Sequence, residues 1–155
     1  MKTLSRFVFL ASVFCMGLAC ATPAAAQRVD GALGLGGQVG APSGLTLKKH
    51  NASGPSYDFL AAWDLDDLFF LNGHAQFHQN LNAENVDREV EWFFGPGAFI
   101  GFTEEDAVLG LSGRVGLSLM VDPQFEVYVQ ATPRLSVVPD TEGDIGGGLG
   151  MRYYF

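Results

Sequence analysis

The sequence predicts an all-β protein, an eight-stranded antiparallel up-and-down transmembrane β-barrel. After residue 27, no long window shows the apolar spacing of a helix, and apolar and polar residues alternate in eight segments separated by turn residues. Eight antiparallel strands joined by short turns close naturally into a barrel, because closure leaves no strand edge unpaired. The content of the two alternating rows then decides which face of the sheet lies inside.

The first four segments each carry an apolar row and a polar row, because side chains alternate between the two faces of a strand. The segments cover residues 28–40, 45–50, 57–65 and 68–80. In chain order their apolar rows are Val29, Leu33, Leu35 and Val39, then Leu45 and Leu47, then Tyr57, Phe59, Ala61 and Trp63, then Phe69, Leu71, Ala75 and Phe77. The intervening stretches APSG and NASGPS have turn composition.

The last four segments show the same alternation of an apolar and a polar row, and they cover residues 91–103, 107–121, 125–138 and 145–155. Their apolar rows are Trp92, Phe94, Ala98, Ile100 and Phe102, then Leu109, Leu111, Val115, Leu117 and Leu119, then Phe125, Val127, Val129, Ala131 and Leu135, then Leu149, Met151, Tyr153 and Phe155. The longest connector, 81–90, is expected to form a helical turn capped by Asn82. If both chain termini are periplasmic, this connector lies on the periplasmic side of the membrane, where turns are usually short. Either the barrel has loops of moderate length on both sides of the membrane, or one predicted strand is assigned to the wrong residues.

The first 26 residues have the layout of a secretory signal peptide. A basic start with Lys2 and Arg6 precedes an apolar stretch and a small-residue tail, and cleavage is expected after Ala26. A rival interpretation is lipid attachment at Cys20, but the alanine tail after it favours ordinary cleavage. The barrel domain is therefore predicted at 27–155, and it contains neither of the two cysteines, Cys15 and Cys20.

The net charge of the mature chain excludes nucleic acid as a partner. Removal of Lys2 and Arg6 leaves seven of the nine basic residues against all 17 acidic ones, a net charge of −10. Phosphate binding needs a basic face, which this composition does not supply. The acidic residues cluster in predicted turns, where they are interpreted as solvated loops, and no stretch has the spacing of a calcium-binding loop.

The polar row indicates that the barrel faces lipid on its outside. It is sparse and balanced in charge, its gaps are filled by Gly, Ser, Asn, Gln and His, and a solvated surface would carry more Lys and Glu. We predict a lumen charge network of Lys48, Asp58, Asp64, Glu91, Arg114, Glu126, Arg134 and Arg152. In the apolar row, aromatic side chains near strand ends are typical of the girdles of membrane barrels: Tyr57, Trp63, Trp92, Phe102, Tyr153 and Phe155.

The chain ending resembles a known sorting signal. Leu149, Met151, Tyr153 and the terminal Phe155 look like the signal by which the barrel assembly machinery recognises bacterial outer membrane β-barrels. Together with the first hairpin (residues 32–48) and the segment 137–155, this ending resembles a group of small eight-stranded outer membrane proteins, similar in architecture to the transmembrane domain of outer membrane protein A. The resemblance implies an outer membrane location and contact with lipid and lipopolysaccharide, and it implies no activity.

The residue types of catalytic and metal sites do not combine into a recognisable site. His74 and His78 lie about 13 Å apart along a strand, too far for one metal ion to bridge them unaided. Serines occur with His74 and Glu126, but none has the context of a catalytic nucleophile: Ser112, Ser118 and Ser136. The glycines near Gly34 and Gly36 lack the third glycine and the helix of a dinucleotide loop. We therefore expect no catalytic residue, no metal and no cofactor.

The sequence thus predicts an integral outer membrane barrel of a Gram-negative bacterium, with a structural or interaction role and a lumen plugged by paired charges. Eight strands leave a lumen only wide enough for side chains, which argues against an open pore. Two alternatives stay open at this point. One is a soluble periplasmic barrel that binds a small apolar ligand in the manner of lipocalins, and the other is a lipid-modifying outer membrane enzyme.

Overall fold

A computed structural model describes residues 29–63, 69–81, 90–102 and 107–155. These residues form eight strands: β1 (Leu33–Ala41), β2 (Gly44–Lys49), β3 (Ser56–Trp63), β4 (Phe69–Leu81), β5 (Val90–Phe102), β6 (Ala107–Asp122), β7 (Phe125–Val138) and β8 (Glu142–Tyr154). Each strand pairs antiparallel with its successor, and β1 pairs with β8, so the sheet closes into a barrel. The predicted all-β barrel with up-and-down connectivity is confirmed. No helix among the described residues is long and apolar enough to cross a membrane.

The predicted strand bounds differ from the observed ones most at the first and last strands. β1 begins at Leu33 and not at residue 28, because a turn precedes it in which the N–H of Ala32 donates to the carbonyl of Val29 at 3.0 Å. β8 begins three residues earlier than predicted, because its pairing with β7 extends to Glu142. The helical turn expected in the 81–90 connector lies outside the described residues, apart from the flanking Leu81 and Val90.

The two ends of the barrel are distinguished by the chain termini. β1 begins and β8 ends at one end, here called the terminal end, and connectors 50–55 and 123–124 also lie there. Leu81 and Val90 pair with each other at this end, so the longest connector joins strands on the side of the termini, as expected. The opposite end, here called the distal end, carries the turns 42–43 and 139–141.

The faces of the barrel are the reverse of those of a protein with an apolar core. Among the described residues, sixteen polar or charged residues are buried, against nine hydrophobic ones. The apolar rows face outward along every strand, and large side chains such as Leu111, Val129 and Leu149 are at least half exposed. The alternation predicted from the sequence is therefore present, with the polar row inside.

Outward aromatic side chains concentrate toward the two ends of the barrel. At the distal end Trp63, Phe69 and Phe102 occupy paired positions on three neighbouring strands. At the terminal end the ring of Tyr153 packs edge-on against Phe155 at 5.0 Å, and Trp92 stacks on Phe94 at 5.1 Å. The aromatic residues thus border an aliphatic belt on both sides.

The distal rim is uneven in height. The register of β1 with β8 ends at the pair Ala41 and Gly147, whereas β8 begins at Glu142. Residues 142–146 of β8 therefore extend past the turn that joins β1 to β2. The lower part of the described rim therefore lies at the turn between β1 and β2.

Candidate functional site

Five charged side chains meet in the middle of the lumen, and each is at most 3% exposed. They are Lys48 on β2, Asp58 on β3, Arg114 on β6, Glu126 on β7 and Arg152 on β8. We call this group the lumen network. It contains three cations and two carboxylates, and all five residues belong to the inward polar row that the sequence predicted.

Asp58 is the carboxylate that joins the two arginines of the lumen network. One of its oxygens accepts a hydrogen bond from Nη1 of Arg114, and the other accepts one from Nη2 of Arg152. Because both carboxylate oxygens are engaged by guanidinium groups, the charge of Asp58 is balanced on both sides. A buried carboxylate without such partners would be strongly unfavourable.

Glu126 joins the rest of the lumen network. Its Oε1 accepts a hydrogen bond from Nζ of Lys48 at 2.9 Å, and its Oε2 accepts one from Nη1 of Arg152 at 3.1 Å. The hydroxyl of Tyr154 also donates to Oε2, at 2.8 Å. Arg152 therefore contacts both carboxylates and lies at the centre of the group.

Two glycines at inward positions of β1 let these side chains meet. Gly34 and Gly36 present no side chain to the lumen, whereas Gln38, nearer the distal end, does. Gly36 pairs with Thr46 of β2 on one side and with Arg152 of β8 on the other. Arg152 can therefore extend over β1, and its Nε donates to the hydroxyl of Thr46 at 3.0 Å.

An aromatic ring completes the surroundings of the central arginine. The guanidinium carbon of Arg152 lies 3.8 Å from the centre of the Tyr128 ring, in cation–π contact. A side chain at Gly150 would lie 2.3 Å from the ring atoms of Tyr128, so this glycine leaves the space that the ring occupies. Tyr128 lies two residues after Glu126 and so shares its inward face, but no signal in the sequence indicates that it contacts Arg152.

The other three residues predicted for the charge network are Arg134 and Glu91, which the structure describes, and Asp64. Arg134 pairs with Asp144 near the distal rim and not with the buried carboxylates, because it lies higher on β7 than Glu126. Glu91 faces the lumen at the terminal end, opposite Ser118, and is half-buried. Asp64 lies outside the described residues. No local signal in the sequence marked Asp144 as the partner of Arg134.

His74 and Ser112 form a separate polar contact. The Nε2 of His74 lies 3.0 Å from the hydroxyl of Ser112, although the two residues belong to β4 and β6. The imidazole crosses β5 at Gly97, where an added Cβ would lie 2.4 Å from the ring. The Nδ1 atom of His74 has no hydrogen-bond partner in the described part of the chain.

The other histidine of this strand, His78, does not take part in the contact between His74 and Ser112. His78 packs against the ring of Phe93 at 5.7 Å and edge-on against His50 at 6.2 Å. Over the ranges that the structure describes, no three His, Cys, Asp or Glu side chains are grouped so as to hold a metal ion.

The last apolar row lies on the outer surface. Leu149, Met151, Tyr153 and Phe155 all point outward from β8 and the residue after it, and each is exposed. The N–H of Phe155 donates to the carbonyl of Leu33 at 3.0 Å, so the chain end is tied to the first strand.

Comparison with known proteins finds no relative. No family model, no curated protein and no solved structure matches the chain. The class to which the chain belongs is therefore defined by its architecture: a closed eight-stranded antiparallel β-barrel with buried, paired charges in its lumen.

Proposed function

We propose that this chain is an integral outer membrane β-barrel of a Gram-negative bacterium, with a structural or interaction role. The observation that carries the proposal is the reversed polarity of the barrel: charged side chains fill the lumen and aliphatic side chains cover the outside. A water-soluble monomer rarely exposes a continuous apolar patch of more than a few hundred Å². A lipid bilayer favours such a surface, with aromatic side chains toward both ends of the apolar belt.

The lumen network supports a closed barrel in place of an open pore. Its five side chains occupy the middle of a lumen that, with eight strands, is only wide enough for side chains. Passage of a solute would require the ion pairs of Asp58 and Glu126 to separate inside the protein. The same network argues against the lipocalin-like alternative, because a small apolar ligand in the central lumen would lie against buried charges.

The two ends of the sequence support the proposed location. The leader at 1–26 directs export across the inner membrane, and 27–155 then forms the mature barrel domain. The outward row that ends at Phe155 has the pattern that the barrel assembly machinery recognises. Outer membrane lipid and lipopolysaccharide are the partners that this location implies.

Deletion of Phe155 is expected to reduce the amount of folded protein in outer membranes at least severalfold. The deletion removes the last aromatic side chain of the proposed recognition row. The measurement is the folded fraction in isolated outer membranes, seen as the band that migrates differently before boiling. Phe155→Tyr keeps an aromatic terminus and is expected to assemble normally.

A second measurement separates recognition from stability, because Phe155 also bonds to Leu33. The purified deletion variant, unfolded in urea and diluted into detergent, is expected to fold nearly as well as the unaltered chain. Normal assembly of the deletion variant in cells would contradict the proposed role of the ending.

The contact between Ser112 and His74 favours one other function, a lipid-modifying enzyme, because 3.0 Å is the spacing of a nucleophile and its general base. A triad would also require a group that orients the imidazole through Nδ1, and no described residue bonds to that atom. We therefore expect purified protein and its Ser112→Ala variant to release fatty acid from phospholipid and lipopolysaccharide only at the background rate. The enzyme function would be supported if the unaltered protein released fatty acid, Ser112→Ala abolished this activity, and the matched variant Ser118→Ala retained it.

A further inference from the structure

The side chains that line the lumen become more apolar toward the distal end. Above the lumen network, the inward side chains Leu60, Ala62, Phe70 and Phe99 pack into an apolar cluster, and the rings of Phe70 and Phe99 stack at 5.3 Å. A second buried apolar cluster, of Ala32, Met120 and Tyr154, lies toward the terminal end. The distal cluster differs from it because a cavity lies beside Phe70 and Ala62.

A cavity of about 300 Å³ lies beside this cluster, at the lowered part of the distal rim. Residues 40–43, around the turn between β1 and β2, line one side, and Ala62, Trp63 and Phe70 line the other. Its volume is at the lower end of the range for small-molecule sites. Such sites combine apolar walls with a few polar groups that orient the ligand.

Arg134 supplies the charge of this distal cavity. Its guanidinium carbon lies 5.4 Å from the centre of the Phe70 ring, so the cation lies directly beside the apolar wall. The Asp144 side chain that pairs with it is 60% exposed. The Arg134 side chain is only 15% exposed, so its cation stays in place, while the exposed carboxylate of Asp144 contributes little and can be replaced by another anion.

We infer that the distal cavity binds a small anion that carries an apolar group, such as an aryl or alkyl carboxylate. The apolar group lies against Phe70 and Ala62, with Trp63 at the outer edge of the cavity, and the carboxylate takes the place of Asp144 on Arg134. This inference goes beyond the proposed structural or interaction role, and its test in lipid rests on the proposed membrane location.

The test uses 4-phenylbutyrate as the probe and its neutral amide as the matched control. The full-length mature protein in phospholipid nanodiscs is titrated by calorimetry, with empty nanodiscs as the blank. Trp63 and Trp92 are the two tryptophans of the chain, so Trp92→Phe leaves Trp63 as a fluorescent reporter in the cavity wall. We expect saturable binding of the anion, a shift in Trp63 emission, and binding of the amide that is about tenfold weaker.

Three variants complete the test. Arg134→Gln is expected to weaken binding of the anion about tenfold, because the charge-assisted hydrogen bonds are lost. Asp144→Asn is expected to tighten binding severalfold, because it removes the competing carboxylate from an exposed position where the fold is not at risk. Lys49→Gln, at the terminal end, is expected to change nothing. Equal binding of anion and amide, binding equal to that of empty nanodiscs, or an affinity that Asp144→Asn leaves unchanged would each overturn the inference.

Discussion

Asp58→Asn is expected to lower the free energy of unfolding by about 3–5 kcal/mol, the range for breaking a buried ion pair from one side. Asp58 accepts hydrogen bonds from Arg114 and Arg152 at once, and all three side chains are buried. The amide of Asn has nearly the same shape as the carboxylate but carries no charge. Arg114 then has no carboxylate partner among the described residues, and Glu126 is the one carboxylate partner that Arg152 keeps there.

The matched control for this change is Asp144→Asn. Asp144 also pairs with an arginine, but its side chain is exposed, so the expected loss is about 0–1 kcal/mol. Both variants are compared by urea unfolding of the protein in lipid vesicles, with tryptophan emission as the signal. Equal losses for the two variants would show that the lumen network does not stabilise the barrel as described.

Val115→Arg is expected to destabilise the barrel in lipid by about 2–4 kcal/mol, the range for a cation on the lipid face at the bilayer midplane. Val115 lies outward near the middle of β6, between Phe94 and Ala131 on the neighbouring strands. A guanidinium at this depth has no water within reach unless the bilayer deforms around it.

Val138→Arg provides a control of nearly equal exposure. Val115 is 48% exposed in the middle of β6, and Val138, the last residue of β7, is 46% exposed at the distal rim, beyond a register shift between β6 and β7. The expected loss at Val138 is about 0–1 kcal/mol, as found near the membrane interface. If the barrel were surrounded by water, both changes would have similarly small effects, and that outcome would contradict the proposed membrane location.

The sequence predicted the fold well because a strand has a side-chain period of two. That period divided the residues of each strand into two rows, and the sparse, balanced charges of one row then placed Lys48, Asp58 and Glu126 inside. The observed bounds of β7 agree with the prediction in full. The shift at the start of β1 arises from a local turn at Gly31, whose φ of 84° interrupts the extended chain.

The contacts within the lumen could not be predicted in the same way, because they depend on how the closed barrel brings distant strands together. Lys48 pairs in register with Asp58, yet its ion pair is with Glu126, across both β1 and β8. Arg134 pairs in register with Asp144 because β8 begins at Glu142. The glycine-rich sequence of β8 gives no clear alternation from which this early start could be predicted. The inward apolar residues Leu60 and Phe70 lie beside outward apolar residues in the sequence, so alternation does not reveal them.

The most direct test of the proposed membrane barrel is the gel mobility of the protein from isolated outer membranes, compared between boiled and unboiled samples. The full precursor is expressed, and the soluble periplasmic fraction is analysed beside the outer membranes. We predict that the protein is found in the outer membranes, resists unfolding in detergent at room temperature and changes its mobility on boiling. Recovery in the soluble periplasmic fraction would contradict the account, because the aliphatic outer surface would then have to be covered by something other than lipid.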